Sequence, residues 1–468
     1  MWYAILNDTL LPNKAQRALR RLFATDDLLI GAGDCWAYGY DNSRRQALPA
    51  AVCFARETAQ VTALVQLCRT YQIPLIPRGK GTGTTGATVP EQGGIIVSTE
   101  RFRQRLQIDP DNRLAVVSPG YTNQELQQQA AQHGFFWPPD PGSAAVCTIG
   151  GNLAHNSAGP RAIKYGTPRD NTLGLRAVSG RGEPLRTGVR TSKGVVGYDL
   201  TRLLIGSEGT LAIITEATLK LTPLPAAKRT LQATYTSIEA AARAVSTLMA
   251  QPLTPCVLEF MDGQAIQMVR TFADLALPEA AEALLLIEVD GTEDAIDATA
   301  EQIRQLAQNA GCIQVRLAET AEEVAQLWRA RKALSPALRN VAPKKINEDV
   351  AVPVSQIPAL ITGLQHLAAK HGITIVNFGH AGNGNIHVNL LFDPEDPAQA
   401  AASQPCLLAV FELVLSLEGT LSGEHGVGRA KRPYVGRELD THALSLMHMI
   451  KTQFDPDGIL NPGVGVPE

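Results

Sequence analysis

Along the first 225 residues the apolar positions come in short runs broken by Gly, Pro and Thr, a texture of brief strands and turns. Ala50 to Phe54 is one such run. The stretch 58–71 places Val61, Leu64, Val65 and Cys68 at helical spacing, and 73–76 is a second apolar run. Strand, helix and strand in that order predict a right-handed βαβ unit. Further strands are expected at 94–98, 114–118, 173–178 and 211–215. Alternation over 213–221 stops at Leu221-Thr222-Pro223-Leu224-Pro225, where two prolines mark a boundary. Beyond it, Ala-rich amphipathic helices (238–249, 292–310, 357–371) alternate with strands (284–289, 373–377), which predicts an α+β domain. The last residues are rich in turns and are expected to pack back on another domain. The spans expected are 1–222, 223–420 and 421–468.

Composition narrows the function classes. The chain has 468 residues, 45% apolar and 19% charged, which excludes disordered, collagenous and coiled-coil readings. Its 42 Lys+Arg against 45 Asp+Glu leave no cationic excess, so nucleic acid is not expected as a partner. The seven cysteines (35, 53, 68, 147, 256, 312, 406) form no C-x-x-C. That argues against a zinc ribbon or a chain-borne iron–sulfur cluster, and fits a reducing compartment. No uncharged apolar run reaches the length of about 18 residues that a transmembrane helix needs. The N-terminus lacks a signal-peptide layout. The expected location is cytoplasmic, with peripheral contact to the inner membrane left open.

Three glycine-rich clusters follow one another. Pro77-Arg78-Gly79-Lys80-Gly81-Thr82-Gly83-Thr84-Thr85-Gly86 contains a literal G-x-G-x-x-G, with Glu100 19 residues after Gly81. A nicotinamide-binding Rossmann turn is excluded, because such a turn must open a helix. Here Pro90 and the Gly93-Gly94 pair forbid one. A loop rich in exposed N–H groups can still cradle a pyrophosphate. The second cluster runs from Pro138 to Gly159 and the third from Leu204 to Ile214. Glycines allow close backbone approach to a flat ligand and cost folding entropy.

A different chemistry appears downstream. Two apolar strands, 373–379 and 386–392, flank His380-Ala381-Gly382-Asn383-Gly384-Asn385, where Asn-Gly predicts a tight reversal. His380 and His387 then face one site, with Asn389 on the same side as His387. Ser422-Gly423-Glu424-His425-Gly426-Val427-Gly428 adds a carboxylate and a third imidazole. On an extended backbone Glu424 and His425 point opposite ways and take different roles. Two His and one carboxylate leave open coordination positions, as in a catalytic metal site. On the helical stretch 327–335, Arg331 and Ser335 share a face, and an Arg fork suits a substrate carboxylate.

These segments resemble the vanillyl-alcohol-oxidase/PCMH superfamily of flavoenzymes. They are most similar to its branch of glycolate oxidase GlcD subunits and D-lactate dehydrogenases. The resemblance rests on Pro77–Gly83, Pro139–Ser143 with Thr148–Asn152, Lys164-Tyr165-Gly166 with Asp170, and Gly206–Leu211. It covers about residues 45–225 and 320–465. It implies an α+β chain: a PCMH-type two-subdomain FAD-binding domain, then an α+β substrate (cap) domain and a C-terminal segment packing back.

The resemblance also implies roles. Arg78, Gly79, Lys80, Gly81, Thr82, Gly83 and Thr84 hold the FAD pyrophosphate. Ser143, Gly150, Gly151, Asn156 and Gly159 line the flavin, and Ile213 and Ile214 sit near the adenosine end. Pro77, Pro141, Gly142, Thr148, Asn152, Gly209 and Asn461 complete the set. Lys80 stands where a small residue is common and adds charge toward the phosphates. No His lies in 79–86 or 139–151, so the FAD is expected to be non-covalent. His380, His387 and Glu424 are implied as ligands of a divalent metal, Zn²⁺ in the first place and Mn²⁺ or Fe²⁺ otherwise, with His425 as base. Asn383 stands where Asp is usual. Arg331 and Ser335 are implied for the substrate carboxylate, with Lys344 or Lys345 as a further contact and Asn389 in the site.

The implied activity is oxidation of a D-2-hydroxy acid such as D-lactate or glycolate to the 2-keto acid. Electrons pass to an external acceptor: a quinone, a cytochrome or an iron–sulfur subunit. Two rival readings stay open, a flavin subunit dependent on an iron–sulfur partner and an alcohol or sugar oxidase of the same fold. A homodimer is compatible with all three.

Overall fold

The computed structural model describes residues 11–272 and 277–467, and it divides into two units. One holds the described residues up to Ala158, then Gly166–Leu224 and the chain from Glu424 on. The other holds Gly159–Tyr165 and Pro225–Gly423.

In the first unit the strands Ala51–Phe54, Ile95–Ser98 and Leu75–Arg78 pair in parallel in that order, with Leu28–Leu29 antiparallel at the edge. All of Ala51–Phe54 and Ile95–Ser98 is buried, as in parallel strands covered on both faces. Helix Thr58–Tyr71 is the crossover and buries the stripe Val61, Leu64, Val65 and Cys68. It stops at Gln72, a left-handed residue at φ 52°. The chain then runs through Leu75–Arg78 and emerges at Gly79 from the carboxyl end of a parallel strand, where ligand-binding loops collect.

A second sheet in this unit has five antiparallel strands, in the order Leu106–Asp109, Leu114–Val117, Ala212–Lys220, Thr172–Ser179 and Pro184–Gly188. Helix Ile149–His155 buries Ile149 and Leu153 in the core beneath it. The C-terminal segment returns to the first sheet: Leu75 N donates to Ile459 O (2.8 Å), and Asn461 N donates to Leu75 O (2.9 Å).

The second unit is built on a seven-stranded antiparallel sheet. Its order is Cys312–Leu317, Ala227–Tyr235, Ala283–Gly291, Val257–Asp262, Thr374–His380, Asn385–Phe392 and Lys344–Ala351. Helices Gly263–Phe272 and Ala321–Ala337 pack on one face through a cluster holding Met261, Ile266, Leu284, Leu286, Leu327, Leu334 and Phe378. Four more helices, Ile238–Met249, Glu293–Ala307, Ile357–His371 and Pro397–Ser416, pack on the sheet and on one another.

Pro397–Ser416 is long and apolar enough to cross a membrane by composition, at a mean hydropathy of 1.4. It buries Cys406, Leu407, Val410, Phe411 and Val414 and packs along Ile357–His371. The tight reversal expected around Asn383-Gly384 is present, with four residues, 381–384, between strands Thr374–His380 and Asn385–Phe392. Ala381–Asn383 makes a 3₁₀ turn and Gly384 closes it at φ 71°, where a Cβ would run into Val352 O.

Candidate functional site

In the first unit a narrow cavity of about 60 Å³ opens at the end of Leu75–Arg78. Of the residues expected to bind FAD, Pro77, Arg78, Gly79, Gly150, Gly151, Gly209, Ile213 and Ile214 line it. The glycines are required by close approach. A Cβ at Gly79 would fall on the Thr148 hydroxyl, and one at Gly209 would come within 2.8 Å of Pro77. Thr148 itself caps helix Ile149–His155 by accepting from Gly151 N at 3.3 Å. A backbone-walled slot of this kind fits the flat rings and pyrophosphate of a flavin dinucleotide.

Other expected residues brace the cavity from behind. The Arg78 guanidinium is buried; it donates to Tyr40 O (2.8 Å) and Thr88 Oγ1 (3.1 Å), and a Cβ at Gly81 would collide with it. It props the loop from below. Lys80 Nζ pairs with Glu100 at 3.3 Å, so its charge is shared with a carboxylate. Asn152 joins Asn123 (3.0 Å) to Ser157 O (2.6 Å). Asn156 ends its helix at φ 56° and accepts from Arg169 N. Asn461 donates to Ala87 O (2.9 Å) and Glu208 O (2.8 Å), tying the C-terminal segment to the cavity. Gly81, Thr82, Gly83, Thr84, Pro141, Gly142 and Ser143 do not line the cavity. Gly159 belongs to the second unit.

The turn carrying Glu424 and His425 is also part of this unit. The chain is bent there rather than extended, with Gly426 at φ 82° and Gly428 at φ 53°. The bend brings a ligand atom of Glu424 and one of His425 within 4.8 Å of each other, which corrects the expectation that they point apart. Glu424 Oε2 accepts from Ala158 N at 3.2 Å, and Ser157 Oγ donates to Glu424 O. Glu208, in the third glycine cluster, anchors the far end of the turn. Its carboxylate accepts from Val427 N (2.6 Å) and Gly428 N (2.8 Å), and His155 Nδ1 lies 3.6 Å away. Burial pushes the Glu208 carboxyl above its ordinary range, against the pull of His155 and the two N–H donors. Glu208 and His155 also line the cavity, and neither was singled out from the sequence.

In the second unit a polar cluster occupies one face of the sheet. His380 and His387 stand edge to face, with ring centroids 5.2 Å apart. His380 Nδ1 contacts Glu259 Oε1, and His387 Nδ1 lies 3.4 Å from Asp349 Oδ1. A metal-ligating His commonly keeps a carboxylate on its other nitrogen, and each imidazole has one nearby; of the two, His387 and its Asp349 belong to a group of ligand atoms lying within 4.8 Å of one another. Asn385 Nδ2 holds Asp349 Oδ1 at 2.7 Å, and Gly423 N donates to Asp349 O (2.9 Å). Glu424 is the next residue along the chain from this anchor.

Arg331 reaches the same face from helix Ala321–Ala337. Its Nε and Nη2 both lie 2.6 Å from Glu259 Oε2, and its guanidinium lies over Phe378, 4.9 Å from the ring centroid. Burial pushes the Glu259 carboxyl up, but Arg331 and His380 outweigh it and hold the group at about 2. Lys345 Nζ lies 3.4 Å from Ser335 Oγ, whereas Lys344 is exposed, so Lys345 is the lysine beside the Arg331–Ser335 helix face. Asn389 is fully buried and spent on the sheet: Nδ2 donates to Val376 O and His387 O, and Oδ1 accepts from Asn347. The reading from sequence passed over Glu259 and Asp349. For Glu259 the available signal was a carboxylate set between Leu258 and Phe260, since a buried charge requires a partner; Asp349 stands beside Glu348 in a largely polar strand, which hid it.

Comparison with known proteins also separates two segments near residue 224. Residues 49–188 match the FAD binding domain family, and 224–464 match the C-terminal domain of FAD linked oxidases. The chain is 39% identical to the glycolate oxidase subunit GlcD of Bacillus subtilis (strain 168) over 427 residues, 91% of each chain. It is 35% identical to the GlcD subunit of Escherichia coli (strain K12), over 90% of this chain and 84% of that one. It is also 35% identical to the D-lactate dehydrogenase of Archaeoglobus fulgidus, over 91% of this chain and 95% of that one. Among solved structures, p-cresol methylhydroxylase with substrate bound superposes at a TM-score of 0.80 and 17% identity, covering 97% of both chains. That likeness establishes the PCMH-type fold. Two family matches, relatives aligned over nine-tenths of the chain and the glycine-lined cavity lead to one assignment: the chain belongs to the FAD-linked oxidase family.

Proposed function

We propose that the chain oxidises a D-2-hydroxy acid, of the D-lactate or glycolate type, to the 2-keto acid. The observation that carries this is the sheet face of the second unit, where an arginine anchor and two carboxylate-backed imidazoles stand together. An α-hydroxy acid offers a carboxylate to the first and a hydroxyl oxygen to an ion held by the second. The relatives named as D-lactate dehydrogenase and glycolate oxidase subunit support the same substrate class.

FAD, when bound in the glycine-lined cavity, would supply the acceptor for the substrate's C2 hydride, and a divalent ion held by His380 and His387 would supply Lewis acidity. Arg331 holds the substrate carboxylate and thereby sets which face of C2 is presented. Ser335 and Lys345 lie along the same side and add hydrogen-bond donors. His425 takes the hydroxyl proton, a task suited to imidazole near neutral pH. Glu208 keeps the turn that carries His425 in place through two backbone N–H groups.

Dye-coupled assay of the FAD-loaded chain tests this reading. A D-2-hydroxy acid should drive dye reduction with stoichiometric 2-keto acid formation, and His425→Ala should abolish turnover while keeping its flavin. No turnover with D-lactate, glycolate or D-2-hydroxyglutarate refutes it. The same assay addresses the reading in which activity depends on an iron–sulfur partner, which the relatives named as subunits favour. That reading predicts that the chain alone reduces no dye until a partner is added.

A further inference from the structure

We infer that Glu259 is a positioning residue that couples the metal-ligand face to the substrate-carboxylate anchor; the inference rests on the function proposed above. Glu259 lies in strand Val257–Asp262 directly opposite His380. Its side chain is 1% exposed, and its strand neighbours Val257, Leu258, Phe260 and Met261 are buried and apolar. Packing gives no reason for a carboxylate there.

Its two oxygens have two clients. Oε1 meets His380 Nδ1. Oε2 takes Arg331 Nε and Nη2, each at 2.6 Å. Each contact has a chemical consequence. A carboxylate on Nδ1 draws the imidazole proton to that nitrogen and leaves Nε2 with its lone pair for an ion. The Nε–Nη2 edge of Arg331 is occupied, so a substrate carboxylate is left the Nη1 side of the fork. Phe378 fixes the plane in which it lies. One rigid side chain thus sets both the tautomer of a ligand and the direction of the anchor. An ion pair that only stabilised the sheet would set neither.

The test uses the FAD-loaded full chain and two readouts. One is Zn²⁺ affinity by competition with a chromophoric chelator, and the other is KM against kcat for the hydroxy acid that supports turnover. Glu259→Gln should lose about 10–100-fold in Zn²⁺ affinity and raise KM several-fold with a smaller change in kcat. Arg331→Lys should raise KM while leaving Zn²⁺ affinity within about twofold, because the Glu259–His380 contact survives. Should Glu259→Gln fail to fold, Glu259→Asp takes its place. It keeps the charge on a shorter side chain that cannot span both clients, so it should weaken at least one readout. Zn²⁺ affinity and KM both at wild-type values in the folded Glu259 variant overturn the inference. His380→Ala distinguishes the levels: lost Zn²⁺ there with an unaffected Glu259 variant removes the role of Glu259 alone. Unaffected Zn²⁺ binding in His380→Ala withdraws the metal reading and the inference with it.

Discussion

A single methyl group at position 79 tests the cofactor slot, because no space exists for it beside the Thr148 hydroxyl. Gly79→Ala is expected to yield folded protein without bound flavin, recognised by the loss of yellow absorbance with an intact far-ultraviolet signal. Retained flavin contradicts the placement. Asp262 offers a pH test in the other unit. It caps helix Gly263–Phe272 through Ala265 N (2.8 Å) and accepts from Asn377 N (2.7 Å), yet burial pushes its carboxyl up to about 6 from 3.8. The folded state therefore binds the proton more tightly than the unfolded one, and this contribution to stability falls as pH rises from about 4 to 6. Relative to Asp262→Asn, the wild type should lose on the order of 2–3 kcal/mol of unfolding free energy over that window. Parallel urea midpoints of the two proteins at pH 4.5 and pH 7 contradict this.

At the scale of elements, helices 238–249 and 357–371 were legible to the residue because apolar periodicity, caps and flanking turns agree there. The His380–His387 hairpin was legible from the apolar runs on both sides of Asn-Gly, and its strands reach one residue further into the turn than expected. The Glu424–His425 turn was misread. Extended geometry was assumed, whereas Gly426 and Gly428 sit at positive φ and bend the chain. Glu208 holds that bend, so its effect reaches His425 without touching substrate. Glu208→Ala leaves the Val427 and Gly428 N–H groups without their acceptor, at a cost of about 1–3 kcal/mol. It should lower kcat at least about tenfold, equivalent to about 1.4 kcal/mol of barrier. Glu208→Gln keeps an acceptor oxygen and should recover most of that rate. Equal losses in both variants contradict a role through backbone positioning.

Over the whole chain, long-range pairing set the limit of what could be read. The proline break near residue 222 lies close to the division at Leu224, but nothing in 159–165 marks it as part of the second unit. There Lys164 Nζ and Tyr165 OH (2.7 Å) both bind Asp290, 125 residues and more away in sequence. Glu259 and Arg331 are 72 residues apart, and no local pattern announces their contact. Motif resemblance supplied the proposed ligand set that spacing alone left open, and it passed over Glu259 and Asp349 for the same reason.

The central claim is metal-assisted oxidation of a D-2-hydroxy acid with FAD as acceptor. The most direct measurement is an anaerobic titration of the FAD-loaded protein with D- and L-lactate, glycolate and D-2-hydroxyglutarate. Flavin absorbance is followed before chelation, after it, and after Zn²⁺ is restored. The account predicts rapid bleaching by an acid of D configuration or by glycolate, its loss on chelation, and its return with Zn²⁺. A flavin that stays oxidised with every acid, or bleaching indifferent to the chelator, contradicts it.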